Sequence, residues 1–242
     1  MRLDGTVDLV GGGRLGPGLS NPYDSNVYLL RTGEGAWLVD TGCGLGRAEL
    51  AARVSGALDG RAPAGAVLTH AHPDHAGGAA GLVDDLGIPV LAGAGTARLV
   101  RVGDHDRLGL TAALRAGLYP AGYRFAACAA VAGIEAGTVP GAGGLRALPT
   151  PGHCEDHTAY VFTGGDGTTY AFTGDLVFAR GRVVVAADSD VRLLRRSLEA
   201  VLAERPDVLL PGHGTPVLSD ARWHLERALE AFDQGRLPAA FG

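Results

Sequence analysis

Lysine is absent from the chain: all 21 basic residues are arginine. A GC-rich coding bias is the bland account of this. The chemical consequence stands regardless, because no Schiff-base lysine and no lysine general base is available. Cysteine is scarce too. Cys43, Cys128 and Cys154 are odd in number and form no CxxC pair, which gives no support to a disulfide framework and fits a reducing, cytoplasmic setting. No apolar run reaches membrane-spanning length, and MRLDGTVDLV at the N-terminus lacks the basic-plus-apolar pattern of a signal peptide. Positive charge is not in excess either. The net charge of −5 weighs against a nucleic-acid partner, which usually meets a basic face.

What the chain has is apolar residues, glycine and a few concentrated histidines. With 242 residues, 46% hydrophobic and 19% charged, it can bury a substantial core, and 1–242 reads as a single domain. Its 39 glycines suggest tight turns and close backbone packing.

Residues 27–31 and 36–42 read as paired strands around a glycine turn, and 46–58 has apolar residues at helical spacing. A short apolar strand at 65–70, a helix through AGLVDDLG and a strand at 88–93 follow. That alternation points to an α/β architecture. Residues 94–139 are less regular; RLVR, LTAALRAGLYPAGYRF and ACAAVAG suggest short helices, a helical lid or pocket segment. Strands are expected again at 145–153, 159–164, 168–175 and 182–186. A helix from 191, a strand at 207–213 and an amphipathic helix at 219–234 capped by Ser219 or Asp220 complete the pattern.

The chemistry is concentrated in LTHAHPDHAGG, residues 68–78, where three of the eight histidines and Asp74 crowd together. H-x-H-x-D-H is too tight for one helical face. In a loop, alternate residues can point to one centre while Asp74 and His75 point to another. Further ligand-type residues also follow apolar strands: His153 after LRALPTPG, Asp175 after YAFTG and His213 after VLLPG. Loops on a rigid sheet can place ligands accurately. Seven candidate ligands, all nitrogen or oxygen donors, suit two Zn²⁺, with Fe or Mn as alternatives.

THAHPDH, TPGH, FTGD and LLPGHG, in this order, resemble the metallo-β-lactamase superfamily of hydrolases. The resemblance implies a four-layer αββα sandwich with two metals at one edge of the sheets. It assigns His70, His72 and His153 to the first metal, Asp74, His75 and His213 to the second, and Asp175 to a bridge. It also makes Asp40, in LVDTG, the carboxylate behind a ligand histidine, fixing its tautomer. Paired cations of this kind yield a bridging hydroxide and polarise the carbonyl it attacks, with Asp74 as the catalytic residue that orients the water.

Lactamases of this superfamily generally carry cysteine or serine at the bridging position and several use a lysine for the substrate carboxylate. Asp175 and the missing lysine argue against that branch. TPGHCEDHTAYVF instead resembles glyoxalase II-like and lactamase-beta-like thioesterases, and adds His157 behind the metal site. The resemblance therefore implies hydrolysis of an ester, thioester or lactone on a small-molecule or carrier-bound acyl substrate. The alternatives are a persulfide-dioxygenase-like iron oxidoreductase, a phosphodiesterase or ribonuclease of the same fold, and a metal-binding protein without catalysis. The endoribonuclease branch carries a longer C-terminal module, and the acidic chain is expected to lack it. Tyr119, Tyr123 and Arg124 are candidate substrate contacts, and Cys154 reads as a buried small residue. GGGRLG (11–16) matches a dinucleotide motif only formally, because turn formers rather than a helix follow it; it reads as a hairpin or pocket rim.

Overall fold

In the computed structural model, which describes residues 1–186 and 188–241, two mixed sheets pack face to face. The first has the order β1 (Val7–Gly11), β2 (Val27–Thr32), β3 (Gly35–Val39), β4 (Gly65–Leu68), β5 (Val90–Gly93) and β6 (Ala132–Ile134). β1–β3 are antiparallel neighbours, and β3–β6 run parallel. The second sheet has the order β11 (Val208–Pro211), β10 (Thr169–Gly174), β9 (Thr158–Thr163), β8 (Arg146–Pro149) and β7 (Gly137–Thr138), with only β10 and β11 parallel.

Alternation along the strands decides the layers, because successive side chains face opposite sides of a sheet. Tyr28, Leu30, Trp37 and Val39 meet Tyr160, Phe162, Phe172 and Leu210 between the sheets. The intervening Val27, Leu29 and Leu38 face outward beneath α1 (Arg47–Ala57), α3 (Ala79–Leu86) and α4 (Ala94–Val102). Ala159, Ala171 and Leu209 face α6 (Val191–Ala203) and α7 (Ala221–Asp233) on the opposite surface. The result is helix, sheet, sheet, helix: the expected αββα sandwich. Among the described residues, no helix is long and apolar enough to cross a membrane.

Several local expectations need correction. The strand at 36–42 stops at Val39, because Asp40 turns into the left-handed region at φ 63°. Residues 182–186 form no strand despite their valines; Val183 instead exchanges backbone hydrogen bonds with Ala239 and Phe241. ACAAVAG is not helical: its last residues pair with β5 as β6, so tertiary pairing overrides the alanine propensity. Within 94–139, helix is confined to α4 and α5 (Leu110–Arg115), and β6 and β7 occupy the far end. Neither Ser219 nor Asp220 caps α7 through its side chain; Asp220 sits at φ 57° with no cap hydrogen bond. Among the described residues the one side-chain N-cap is on α6, where Asp190 Oδ1 accepts from Arg192 N at 2.8 Å and Leu193 N at 3.1 Å.

Candidate metal centre

The strands deliver the polar residues to one edge of the sandwich. β3 leads into Asp40, β4 leads into Thr69, His70 and His72, and the single turn α2 (Pro73–Ala76) carries Asp74 and His75. β8, β10 and β11 lead into His153, Asp175 and His213. Pro73 at the first helical position suits its missing N–H, and His72 before it is extended at φ −60°, ψ 145°. That kink separates His70 and His72 from Asp74 and His75, turning one short stretch into two half-sites.

In the first half-site, His72 Nδ1 lies 3.0 Å from His70 Nε2 and 3.1 Å from His153 Nε2. The opposite ring nitrogens set the tautomers. His153 Nδ1 donates to Val184 O at 3.3 Å, and a carbonyl can only accept. The Thr69 hydroxyl donates to Asp40 and so accepts from His70 Nδ1 at 3.0 Å. His72 Nε2 faces Asp188 Oδ2 at 3.5 Å. When all three rings are neutral, this arrangement aims three lone pairs at one point, which is favourable only with a cation there. Tetrahedral donors about 2.0–2.1 Å from an ion lie roughly 3.3 Å apart, close to this spacing.

In the second, His213 Nε2 is 3.1 Å and His75 Nε2 3.7 Å from Asp74 Oδ2. Asp175 stands between the half-sites, with Oδ2 3.8 Å from His153 Nε2 and 3.6 Å from His213 Nε2. Its Oδ1 lies 3.3 Å from His75 Nε2, yet both atoms are buried without a hydrogen-bond partner. Buried polar atoms are rarely left so, and a metal ion accounts for both. Behind them, Asp40 Oδ2 accepts from His75 Nδ1 at 2.8 Å, while Oδ1 accepts from Thr69 N at 2.8 Å.

The electrostatics divide largely the same way, with His72 the exception: burial would lower it, but the Asp188 hydrogen bond and the Asp74 charge raise it. Burial pulls His70 well below the usual imidazole range, and the surrounding rings add to it; His153 is lowered by burial too. Burial would also lower His75, but Asp175, Asp74 and Asp40 raise it well above that range. Against the pull of burial, His75 and His213 hold Asp74 below the ordinary carboxylate range, and His213 and His75 hold Asp175 well below it. Imidazoles and carboxylates here favour each other's charged forms, so this half-site is built to attract positive charge.

A cleft of about 720 Å³ opens over the centre, with His72, Asp74, His153, Asp175 and His213 in its lining. Its walls are mostly apolar, formed by Leu15, Leu108, Ala112, Ala116, Leu118 and Phe241. α5 begins at the centre, where Gly109 at φ 71° packs against His72 and a Cβ would lie 3.6 Å from Cδ2. Arg14 and Leu15 bring the glycine loop 11–16 to the rim.

The other candidates fall in different places. Tyr119 lines the cleft and its hydroxyl donates to Asp74 Oδ1 at 3.1 Å; burial and the Asp74 charge push the phenol up, keeping it a donor. Tyr123 and Arg124 do not line the cleft. Tyr123 is buried and donates to Cys43 O at 2.7 Å, while exposed Arg124 donates to Tyr123 O. His157 backs His70 at a ring distance of 5.2 Å, but its Nδ1 pairs with Thr150 Oγ1 and it bonds no converging residue. Cys154 is buried. His105 and His224 accept from the Phe125 and Arg180 backbone N–H groups, away from the centre. Sequence reasoning missed Thr69 and Asp188. A hydroxyl beside His70 was a usable signal for the first; the second follows no strand and had none.

The chain is similar to several known proteins. A hydroxyacylglutathione hydrolase of Cupriavidus taiwanensis is 34% identical over 167 residues, covering 65% of this chain and 51% of that protein. An atrochrysone carboxyl ACP thioesterase of Passalora fulva is 27% identical over 203 residues, covering 83% and 51%. The chain thus spans about half the length of these curated relatives. Among solved structures, the TTHA1623 protein in a di-iron-bound form superposes with a TM-score of 0.65 at 30% identity, covering 87% of this chain and 94% of its own. The family described as the Metallo-beta-lactamase superfamily matches residues 20–213, from the loop before β2 to the last histidine of the centre, and the chain belongs to that superfamily.

Proposed function

We propose that the protein is a dinuclear metal-dependent hydrolase that cleaves an ester, thioester or lactone carbonyl in a small-molecule or carrier-bound acyl substrate. The observation that carries this reading is Asp175 Oδ2, which faces His153 in one half-site and His213 in the other. His70, His72 and His153 would hold the first ion, Asp74, His75 and His213 the second, and Asp175 both. A set of imidazole and carboxylate donors suits zinc, with iron or manganese as alternatives.

Two bound divalent cations supply Lewis-acid polarisation and a water acidic enough to ionise near neutral pH. The chain's own residues do the rest. Asp74 turns Oδ2 toward the centre, where it orients the attacking water and accepts its proton. Asp40 and Thr69 keep His75 and His70 in the donor tautomer. The apolar walls seat the acyl group and exclude bulk water from the reacting carbonyl. Similarity to an ACP thioesterase and a hydroxyacylglutathione hydrolase supports thioesters as the first class to test.

The di-iron form of TTHA1623 keeps iron in play and with it the iron-oxidoreductase reading. The test is a panel of acyl thioesters, lactones and bis-phosphodiesters on zinc- and iron-loaded protein, with oxygen uptake on a glutathione persulfide alongside. Carbonyl hydrolysis without oxygen uptake supports the hydrolase. Oxygen uptake that tracks iron replaces it.

A further inference from the structure

The two oxygens of Asp74 have different partners. Oδ2 faces His213 and His75, whereas Oδ1 accepts from the Tyr119 hydroxyl. A carboxylate with both oxygens free can swing, or take one cation through both. A fixed donor on Oδ1 removes that freedom.

Tyr119 is well placed to be that donor. Its ring stacks on Tyr123 at 4.9 Å and 17°, and Tyr23 packs against it at 5.7 Å. Tyr123 is itself tied down by donating to Cys43 O at 2.7 Å. The backbone before Tyr119 is pinned as well: Leu118 N donates to Ala113 O at 2.9 Å, and Leu118 O accepts from Arg14 at 3.2 Å. The phenol therefore reaches Asp74 from a braced aromatic stack.

We propose that Tyr119 is a positioning residue for the second metal position, holding Asp74 so that Oδ2 alone turns to His75 and His213. This rests on the dinuclear reading above. It gives Tyr119 a role in metal retention, where the sequence suggested only a substrate contact. Hydrogen-bond partners of metal ligands typically alter metal affinity by about 10- to 100-fold, and the effect here falls on one ion of the pair.

Tyr119→Phe keeps the ring stack and removes only the donor. Apo-protein is titrated with Zn²⁺ against a chromophoric chelator, and kcat and KM for a short acyl thioester are measured at limiting and excess zinc. The expected result is a second zinc bound at least about tenfold more weakly, an unchanged first zinc, and a kcat loss at limiting zinc that excess zinc restores. Tyr119→Ala also breaks the stack and is expected to raise KM in addition; an unaltered melting temperature of Tyr119→Phe shows that its fold is intact. Two zinc ions bound by Tyr119→Phe with wild-type affinity, with only KM raised, overturn the proposal in favour of a plain cleft-wall role. Wild-type protein that takes up fewer than two zinc ions overturns the dinuclear reading itself, and the proposal with it.

Discussion

Asp40 Oδ2 lies 2.8 Å from His75 Nδ1, with the two side chains 3% and 0% exposed. The contact joins the scaffold to the chemistry. β3 ends where Asp40 turns to φ 63°, and that turn aims one oxygen at the Thr69 backbone and the other at the imidazole. Asp40→Asn tests it, since asparagine tolerates the left-handed backbone. One oxygen becomes an NH₂ that cannot accept from Thr69 N or His75 Nδ1. Total zinc affinity should fall about 10- to 100-fold, as read by chelator competition, with circular dichroism unchanged.

Metal uptake should depend on pH with a definite sign. His75 and His213 are raised above the ordinary imidazole value by Asp175 and Asp74, so near neutrality the apo-site holds protons that a metal must displace. Apparent zinc affinity is expected to rise with pH through and above about 6.5. Calorimetry in buffers of different ionisation enthalpy should register proton release. In the apo-protein the same raised histidines stabilise the fold below about 6.5 and lose that contribution as pH rises through their folded values. Melting temperatures of apo- and zinc-loaded protein should therefore diverge as pH increases.

The cleft wall offers a test of substrate class. Ala112 on α5 and Ala116 at its C-terminal cap lie about one turn apart and line the cleft with small side chains. Ala112→Phe should narrow the cleft there. A loss of kcat/KM of at least about tenfold is expected for long acyl thioesters, with little change for acetyl thioesters. An equal loss across the series would place the acyl group elsewhere.

A stability control lies at the start of α6, just after the loop that carries Asp188. Asp190→Ala removes the α6 cap and should cost about 1 kcal/mol, or roughly 2–4 °C in melting temperature for a chain of this size. Zinc stoichiometry should be unaffected.

The alternation of strands and helices made an α/β architecture legible, and the sandwich itself followed from the resemblance carried by THAHPDH, TPGH, FTGD and LLPGHG. His70, His72, Asp74, His75, His153, Asp175 and His213 stood out as candidates because each polar cluster follows a short apolar strand. What escaped depends on contacts distant in sequence. The valines at 182–186 read as a strand, yet Val183 pairs with Ala239 and Phe241 and Val184 O accepts from His153. Tyr119 and Tyr123 had equal claims as pocket residues. Only the fold separates them, turning one hydroxyl to Asp74 and the other to Cys43. Asp188 reaches His72 from a loop with no periodic signal.

The most direct test is to count metal and follow hydrolysis in the same preparation. The account predicts two metal ions per chain, thioester or lactone hydrolysis that chelation abolishes and zinc or iron restores, and loss of both in Asp175→Asn. Active protein with fewer than two metal ions per chain, or activity indifferent to chelation, would contradict it.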